Sequence, residues 1–368
     1  MLIDANCAQV DLSSALNIVS KAINNNNTLP VLNNILIEAK DNHLYFSATN
    51  LEIAIKTSIK ATVKTEGAIT IPAKLLTSYI QLLDKQNIVI STTRDYSLEL
   101  TADHDFTKIK GIKAEDFPLI PEITPDLTVE VTSEVLLGLL SSVSFAASIQ
   151  STKPVLSGVY FKFSGKNLIL AATDSYRLAE NKIELKSEFP ETNFILPVRT
   201  AIELIKILEI DHKSPVIIKI AKNQIEFHVK EIVLISRLIE GVFPDYQKII
   251  PREEKSKVFI SSSVLSQAIR KISLFARENN NNMKLTLDND SLTISTDETK
   301  VGEGEIVIPV KKEGELNQIA VNSAFLLDVL NNYPTKEVEL IINEKLSPLV
   351  IKKTKSQDYV YIIMPLKV

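Results

Sequence analysis

Hydrophobic residues recur along this chain at two periods. Leu12, Leu16 and Val19 stand at i, i+4 and i+7, as do Leu136, Leu140 and Val143, and again Leu265, Ile269 and Ile272. That spacing lines one face of an α-helix. Ser133 and Ser262 are placed to act as N-caps. A second set predicts three more helices: Leu76, Tyr79, Ile80 and Leu83; Ala201, Leu204, Ile205 and Leu208; Leu326, Val329, Leu330 and Tyr333. Pro72 and Pro197 fall at the starts of two of them, where a missing N–H is harmless. Between helices the period drops to two or the residues become β-branched. Strands are therefore predicted at 35–39, 44–48, 53–59, 88–91 and 97–100, at 159–163, 168–172, 183–185, 216–220 and 224–229, and at 285–287, 292–295, 338–342 and 349–352. Lys40-Asp41-Asn42-His43 and Ser164-Gly165-Lys166-Asn167 read as hairpin turns.

The pattern returns at a domain-sized interval. Leu44-Tyr45-Phe46-Ser47-Ala48-Thr49 reappears as Leu168-Ile169-Leu170-Ala171-Ala172-Thr173 and as Leu292-Thr293-Ile294-Ser295-Thr296-Asp297, with 168 − 44 = 124 and 292 − 168 = 124. Ile71-Pro72-Ala73-Lys74, Leu196-Pro197-Val198-Arg199 and Val321-Asn322-Ser323-Ala324 keep 197 − 72 = 125 and 322 − 197 = 125. A unit this long carries its own core. Proline and charge at 117–122, at 243–244 and at 251–254 mark the joins, so the expected domains are 1–124, 125–251 and 252–368. Each reads helix, strands, helix, strands: an α+β architecture of two helices packed on antiparallel sheets. Repeat three is shorter. Leu12 to Leu44 is 32 residues, but Leu265 to Leu292 is 27, and the lost residues fall at 279–282.

Candidate chemistry is sparse. Only 9 Gly are present, which argues against phosphate-cradling Gly-rich loops, and no nucleophile-elbow or dinucleotide motif occurs. His43, His104, His212 and His228 form no ligand pattern, and Cys7 reads as a small buried residue with no basic neighbour to activate it. One cysteine excludes an internal disulfide and fits a reducing, cytoplasmic setting. Met1-Leu2-Ile3-Asp4 lacks the features of a secretory signal, and no apolar run approaches membrane-spanning length. A net charge of −4 argues against gripping nucleic acid by bulk charge, but local basic faces remain compatible with it. No metal, cofactor or catalytic residue is nominated.

Two segments depart from the background. Only repeat two places an aromatic and an arginine together after its strand, in Thr173-Asp174-Ser175-Tyr176-Arg177-Leu178; repeat one has Thr49-Asn50-Leu51-Glu52-Ile53 there. The simpler reading is a turn capped by Asp174 with Arg177 ion-paired at the surface. The asymmetry points instead to a recruited site. The second segment is the apolar end, Tyr361-Ile362-Ile363-Met364-Pro365-Leu366-Lys367-Val368, read as an edge strand over 359–363 followed by residues suited to line a groove.

With these blocks, Thr28-Leu29-Pro30-Val31-Leu32, and Phe243-Pro244-Asp245-Tyr246, the whole chain resembles the bacterial sliding clamp family, the β subunit of the replicative DNA polymerase III holoenzyme. The resemblance implies the DNA-clamp fold: a head-to-tail homodimer of three-domain subunits, closed as a ring around double-stranded DNA, without catalysis or cofactor, serving as a processivity factor. It implies a partner-peptide groove at Leu156, Thr173, Ser175, Tyr176, Arg177, Leu178, Pro244, Ile249, Met364, Pro365 and Leu366, with Lys153, Lys248, Asn322, Phe325, Lys367 and Val368 at its margin. Polymerase subunits, an ATP-driven clamp loader and repair proteins would dock there through short motifs. DNA-facing positions fall on Lys74, Gln150 and Arg199, and the dimer interface on Phe106, Leu274 and Phe275, which would otherwise be ordinary core. The chain departs from the family at Asn24-Asn25-Asn26-Asn27, where Arg is common, and at Pro154-Val155, where aromatics are. On the residues alone two other classes stay open: a protein-binding scaffold with no DNA role, and a hydrolase using Asp174 and nearby carboxylates.

Overall fold

The computed structural model describes residues 2–24, 29–149, 152–333, 335–354 and 357–366. Six α-helices lie among them: α1 (Gln9–Val19), α2 (Ala73–Leu82), α3 (Ser133–Val143), α4 (Val198–Leu208), α5 (Ser262–Ala276) and α6 (Ser323–Asn332). All six fall where the apolar spacing predicts them, and Leu12, Leu16, Val19, Leu265, Ile269 and Ile272 are all buried. The expected caps are displaced. Ser133 and Ser262 are the first helical residues, and Ser261 holds the cap position of α5 without a side-chain bond. Thr132 Oγ1 instead accepts from the Val135 N–H at 3.4 Å. The reason is that a strand runs straight into each first helix: Asp4–Ala8, Leu127–Thr132 and Ser256–Ser261. The helical spacing conceals these three strands.

The chain packs as two compact units, residues 1–137 with 202–238 and residues 138–201 with 239–368. The first unit holds a five-stranded antiparallel sheet in the order Thr62–Thr65, Asp4–Ala8, Asn87–Thr92, Ser97–Ala102, Asp105–Lys110. It also holds an eight-stranded sheet: Leu127–Thr132, Pro215–Ile220, Gln224–Val229, Ile232–Arg237, Ile53–Lys60, His43–Thr49, Asn34–Lys40, Gly67–Pro72. The pairing of Val233 with Lys56 and of Ser236 with Ile53 joins strands of repeats one and two in that sheet. The second unit has a seven-stranded sheet, Gly158–Thr173, Arg177–Pro197, Tyr359–Ile363, Leu349–Lys353, Glu337–Ile342, Ser256–Ser261, Lys311–Gly314, and a four-stranded sheet, Glu305–Pro309, Ser291–Ser295, Asn282–Leu287, Asn317–Asn322. Here Arg177 pairs with Ile363, joining repeats two and three. Shared sheets are why the packing units cut across the sequence repeats.

The segment Tyr359–Ile363, predicted as an edge strand, lies in the interior of the seven-stranded sheet. It is hydrogen-bonded on both sides, and all five of its residues are buried. Strands Asp105–Lys110 and Ile232–Arg237, like Thr62–Thr65, Gly67–Pro72, Glu305–Pro309, Lys311–Gly314 and Asn317–Asn322, have no counterpart in the predicted set. The first is an edge strand with a single buried residue, Ile109, so no period-two signal exists to read. Asp41 and Asn42 both have positive φ, 51° and 57°, as a two-residue hairpin turn requires. At the second expected turn no hairpin forms: Gly158–Thr173 is one continuous strand, and Gly165, at φ 58°, only shifts its register against Arg177–Pro197, so the expected turn is a bulge. The shortened connection of repeat three runs through Asn280 and Asn281, both left-handed at φ 51° and 59°, a conformation asparagine tolerates better than most residues. Cys7 is buried in the first strand, and burial, reinforced by Asp11, pushes its thiol pKa up to about 12.

Candidate functional site

The turn at 173–177 is built by its own side chains. The Thr173 hydroxyl donates to the Arg177 carbonyl at 2.6 Å and accepts from the Ser175 N–H at 3.2 Å. Asp174 Oδ1 accepts from the N–H groups of Tyr176 (2.9 Å) and Arg177 (3.0 Å), while Ser175 takes φ 79°. The sister turn in repeat one has the same construction. Thr49 donates to the Ile53 carbonyl at 2.9 Å and accepts from the Leu51 N–H at 3.0 Å. Asn50 Oδ1 accepts from Glu52 (3.0 Å) and Ile53 (2.9 Å), and Leu51 has φ 75°. The backbone of repeat two is therefore not exceptional; only its side chains are. Asp174 does what Asn50 does, so its carboxylate is a structural acceptor, and the hydrolase reading loses its one candidate.

Arg177, predicted to pair at the surface, has a side chain only 11% exposed. Nε donates to Asp174 Oδ2 at 3.0 Å, one terminal nitrogen donates to the Phe145 carbonyl at 2.8 Å, and the other pairs with Asp328 of α6. The guanidinium also lies 4.6 Å from the ring centroid of Phe325 and 5.8 Å from that of Phe145, favourable cation–π positions. Burial pulls its pKa down, but Tyr361, Asp328 and Asp174 more than offset that, and the net shift is upward. Burial pushes the Tyr361 phenol up; its hydroxyl donates to the Phe325 carbonyl at 3.0 Å.

Several sequence-predicted residues converge on one apolar cluster. Leu178 is fully buried with Phe243, Tyr246, Ile195, Val360 and Ile362, and Val155 and Ile250 pack against it. Tyr160 stacks on Phe243 with centroids 4.8 Å apart. The Tyr246 hydroxyl donates to Glu180 at 2.5 Å, which ties the short helical turn Tyr246–Ile249 to strand Arg177–Pro197. Next to these buried residues along the chain, Tyr176 (65%), Ile249 (43%) and Met364 (36%) are exposed, as is Pro244. The Met364 N–H donates to the Tyr176 carbonyl at 2.8 Å, and the Leu366 N–H to the Ala320 carbonyl at 2.8 Å, so the chain leaves the sheet and is held by new partners. Leu156 is buried in the turn Pro154–Ser157, and Thr173 is buried; Ser175, Pro365 and Leu366 are partly exposed or exposed. At the margin, Lys153 is exposed, Lys248 pairs with Asp245 at 2.7 Å, and Asn322 caps α6 by accepting from the Ala324 N–H at 2.9 Å.

Other expected positions stand on other elements. Lys74 and Arg199 are exposed, each the second residue of its helix, α2 and α4. Phe106 is 64% exposed on the edge strand Asp105–Lys110, and Leu274 is 62% exposed on α5, so neither is ordinary core. Phe275 is half-buried and packs against Gly302 and Gly304. Gln150, Lys367 and Val368, with residues 25–28, lie outside the described residues. Sequence reasoning missed Asp328 and Phe145, because Arg177 and Asp328 are separated by 151 positions. The repeat interval held a clue: 328 − 203 = 125, and Glu203 is acidic too.

Two helices to each of three repeats, over shared antiparallel sheets, with exposed apolar residues as the distinctive site, define a clamp-type binding protein. Among the described residues no group of three His, Cys, Asp or Glu side chains is placed to hold a metal ion, and no helix is long and apolar enough to cross a membrane. Family profiles for the DNA polymerase III beta subunit match residues 4–121 (N-terminal domain), 130–245 (central domain) and 247–367 (C-terminal domain). The chain is 31% identical over 362 residues to a beta sliding clamp of Staphylococcus epidermidis, covering 96% of each, and 30% identical over 362 residues to that of Staphylococcus aureus. The DNA polymerase sliding clamp structure of Bacillus subtilis superposes with a TM-score of 0.95 at 27% identity, covering 100% of both chains. The Pseudomonas aeruginosa sliding clamp bound to griselimycin gives 0.94 at 25%, again covering 100% of both chains. The chain belongs to the bacterial β sliding clamp family, the beta subunit of DNA polymerase III. It is a DNA clamp that acts as a polymerase processivity factor and has no catalytic activity of its own.

Proposed function

We propose that two copies of this chain close head to tail into a cytoplasmic ring around duplex DNA, each contributing domains 1–124, 125–251 and 252–368. A contact between two different surfaces makes a closed ring when its rotation closes. What supports this is two of the sheet edges, each with an exposed apolar side chain. Asp105–Lys110 ends one sheet and carries exposed Phe106; Glu305–Pro309 ends another and carries exposed Val307. Unpaired edges of this kind are templates for strand addition from another chain. Leu274 and Phe275 of α5 complete the interface in this reading.

Lys74, Arg199 and Gln150 face the DNA. Lys74 and Arg199 put positive charge at helix N-termini, against the macrodipole and at the end that favours anions. That placement is locally unfavourable and becomes favourable beside a phosphate. A few such contacts on a chain of net charge −4 suit a ring that must slide.

Polymerase subunits, the clamp loader and repair proteins dock through short peptide motifs on the patch formed by Leu156, Thr173, Ser175, Tyr176, Arg177, Leu178, Pro244, Ile249, Met364, Pro365 and Leu366. One observation carries this reading: two turns of the same backbone differ only in side chains, and the one in repeat two exposes Tyr176, whose carbonyl holds the Met364 N–H, two residues before Leu178 of a buried apolar cluster. Exposed aromatic and flexible thioether groups over a packed base are what anchor residues of an extended partner need. Griselimycin, which the Pseudomonas aeruginosa relative binds, is a compact probe. Calorimetric titration should show binding to the wild-type chain and loss of it in Tyr176→Ala; undiminished binding in that variant would reject the groove.

A further inference from the structure

We propose that the Arg177–Asp328 ion pair is a strut that fixes the shape of the partner groove, with Asp328 as a positioning residue for partner binding. The inference rests on the groove reading above and adds a residue that the groove assignment does not include.

The sister turns supply the starting point. Repeat one makes the same five-residue turn with Asn50 and Ile53 in place of Asp174 and Arg177. Neither the second oxygen of Asp174 nor the Arg177 side chain is therefore needed to form it. Ile53 fills its position as ordinary buried hydrocarbon. Burying a guanidinium there instead is the more demanding solution, because charges taken out of water must be fully paired. Arg177 is fully paired, and its partners come from separate elements: Asp174 in the turn, the Phe145 carbonyl after α3, and Asp328 and the Phe325 ring on α6.

What the arginine adds is thus a connection. It ties the turn to α6, and the same turn receives the Met364 N–H on the Tyr176 carbonyl. Tyr361, three residues before Met364, bonds to the Phe325 carbonyl of that same helix. Helix, turn and C-terminal segment are held as one frame, and Tyr176 and Met364 are the two exposed groups mounted on it. A planar guanidinium with five donors suits such multi-point fixation better than a lysine.

The matching position in the other junction lacks the strut. Glu203 of α4 corresponds to Asp328 by the 125-residue interval, yet it pairs with Lys206 at 2.9 Å and its second oxygen is buried without a hydrogen-bond partner. The strut is present where Tyr176 is presented and absent where Glu52 stands in its place.

The test measures griselimycin affinity and dissociation rate on the full chain, with melting temperature alongside. The variants are Asp328→Asn, Arg177→Met, their combination, Asp328→Glu, Tyr176→Ala and the matched control Glu203→Gln. Asp328→Asn should weaken binding about tenfold, mostly through faster dissociation, as expected when a desolvated charged partner is removed. Its melting temperature should fall as well, because a buried guanidinium loses one of its partners, and Asp328→Glu should recover most of both. Glu203→Gln should bind as wild type. If Asp328 acts through Arg177, the combined variant binds no worse than Arg177→Met; additive losses would mean that Asp328 touches the ligand itself, and would overturn the positioning role. Full affinity in Asp328→Asn with weak binding in Tyr176→Ala removes the strut and leaves the groove. Full affinity in Tyr176→Ala removes the groove reading, and the strut with it.

Discussion

Replacing Phe106 with Ala should break the ring without harming the fold. The side chain is 64% exposed on an edge strand, so its apolar area is available to a second chain and contributes little to its own core. An aromatic side chain buries on the order of 150–250 Å² when covered, so covering the exposed share of Phe106 removes roughly 100–160 Å² from water. At about 25 cal/mol per Å² this is about 3 kcal/mol, of which an alanine would retain a small part, leaving a loss of roughly 2 kcal/mol per contact. A two-subunit ring makes the contact twice, so the dimer loses about 4 kcal/mol, or roughly a thousandfold in dissociation constant. Sedimentation velocity over a dilution series reads this as a shift of the monomer–dimer midpoint to higher concentration. The melting temperature of Phe106→Ala should match wild type in the concentrated, dimeric range. Leu82→Ala, which removes a side chain 86% exposed at the end of α2, should leave the midpoint where it was. A Phe106→Ala midpoint that coincides with wild type would refute the edge-strand interface.

The remaining predictions concern the other surfaces and the core. Lys74→Gln combined with Arg199→Gln should weaken retention of the loaded ring on nicked circular DNA and flatten the salt dependence by about 3–4 in log–log slope, because about four phosphates per ring are then no longer neutralised; an unchanged slope would remove both residues from the DNA path. Deleting residues 364–368 should abolish griselimycin binding and leave the dimer intact in sedimentation, since Tyr359–Ile363, not the tail, is built into the sheet; loss of folding would show that the tail is core. Stability should fall as pH rises above about 9. Burial holds the Cys7 thiol protonated in the folded chain up to about 12, against 9.0 unfolded. Between those values the unfolded state binds fewer protons, so each such group costs about 1.4 kcal/mol per pH unit. Tyr246, whose phenol is also raised by burial and by Glu180, adds to this at higher pH. Urea melts at roughly pH 8, 9.5 and 11 should show the fall, and Cys7→Ala should remove part of it; an identical slope in that variant would contradict the buried-thiol assignment.

Legibility in the sequence followed local periodicity. The six helices were readable because each buries apolar residues at helical spacing: a full i, i+4, i+7 stripe in the first helix of each repeat, as Leu265, Ile269 and Ile272 in α5, and a narrower one in the second, as Leu326 and Val329 in α6. Strands with a buried alternate face were readable too. The strand at 105–110 was not, because an edge strand with one buried residue leaves no alternation. The three strands that feed the first helices were masked by the stronger helical pattern that follows them. The Asp174 turn and its side-chain asymmetry were legible, but its partners were not: the backbone repeats between Thr49–Ile53 and Thr173–Arg177, and the difference lies wholly in what the side chains reach.

By itself, then, the amino-acid order determined the helix positions, the threefold repeat and the family, since each depends on neighbours within a few residues or on a block recurring at a constant interval. Tertiary structure alone decided three other things. It placed Tyr359–Ile363 inside a sheet and not at its edge, left Phe106 and Leu274 in solvent, and brought Arg177 to Asp328 across 151 positions of chain. Each of those outcomes depends on which strands share a sheet, and strand partnership between distant segments is set by how whole faces bury together, a quantity no local window contains.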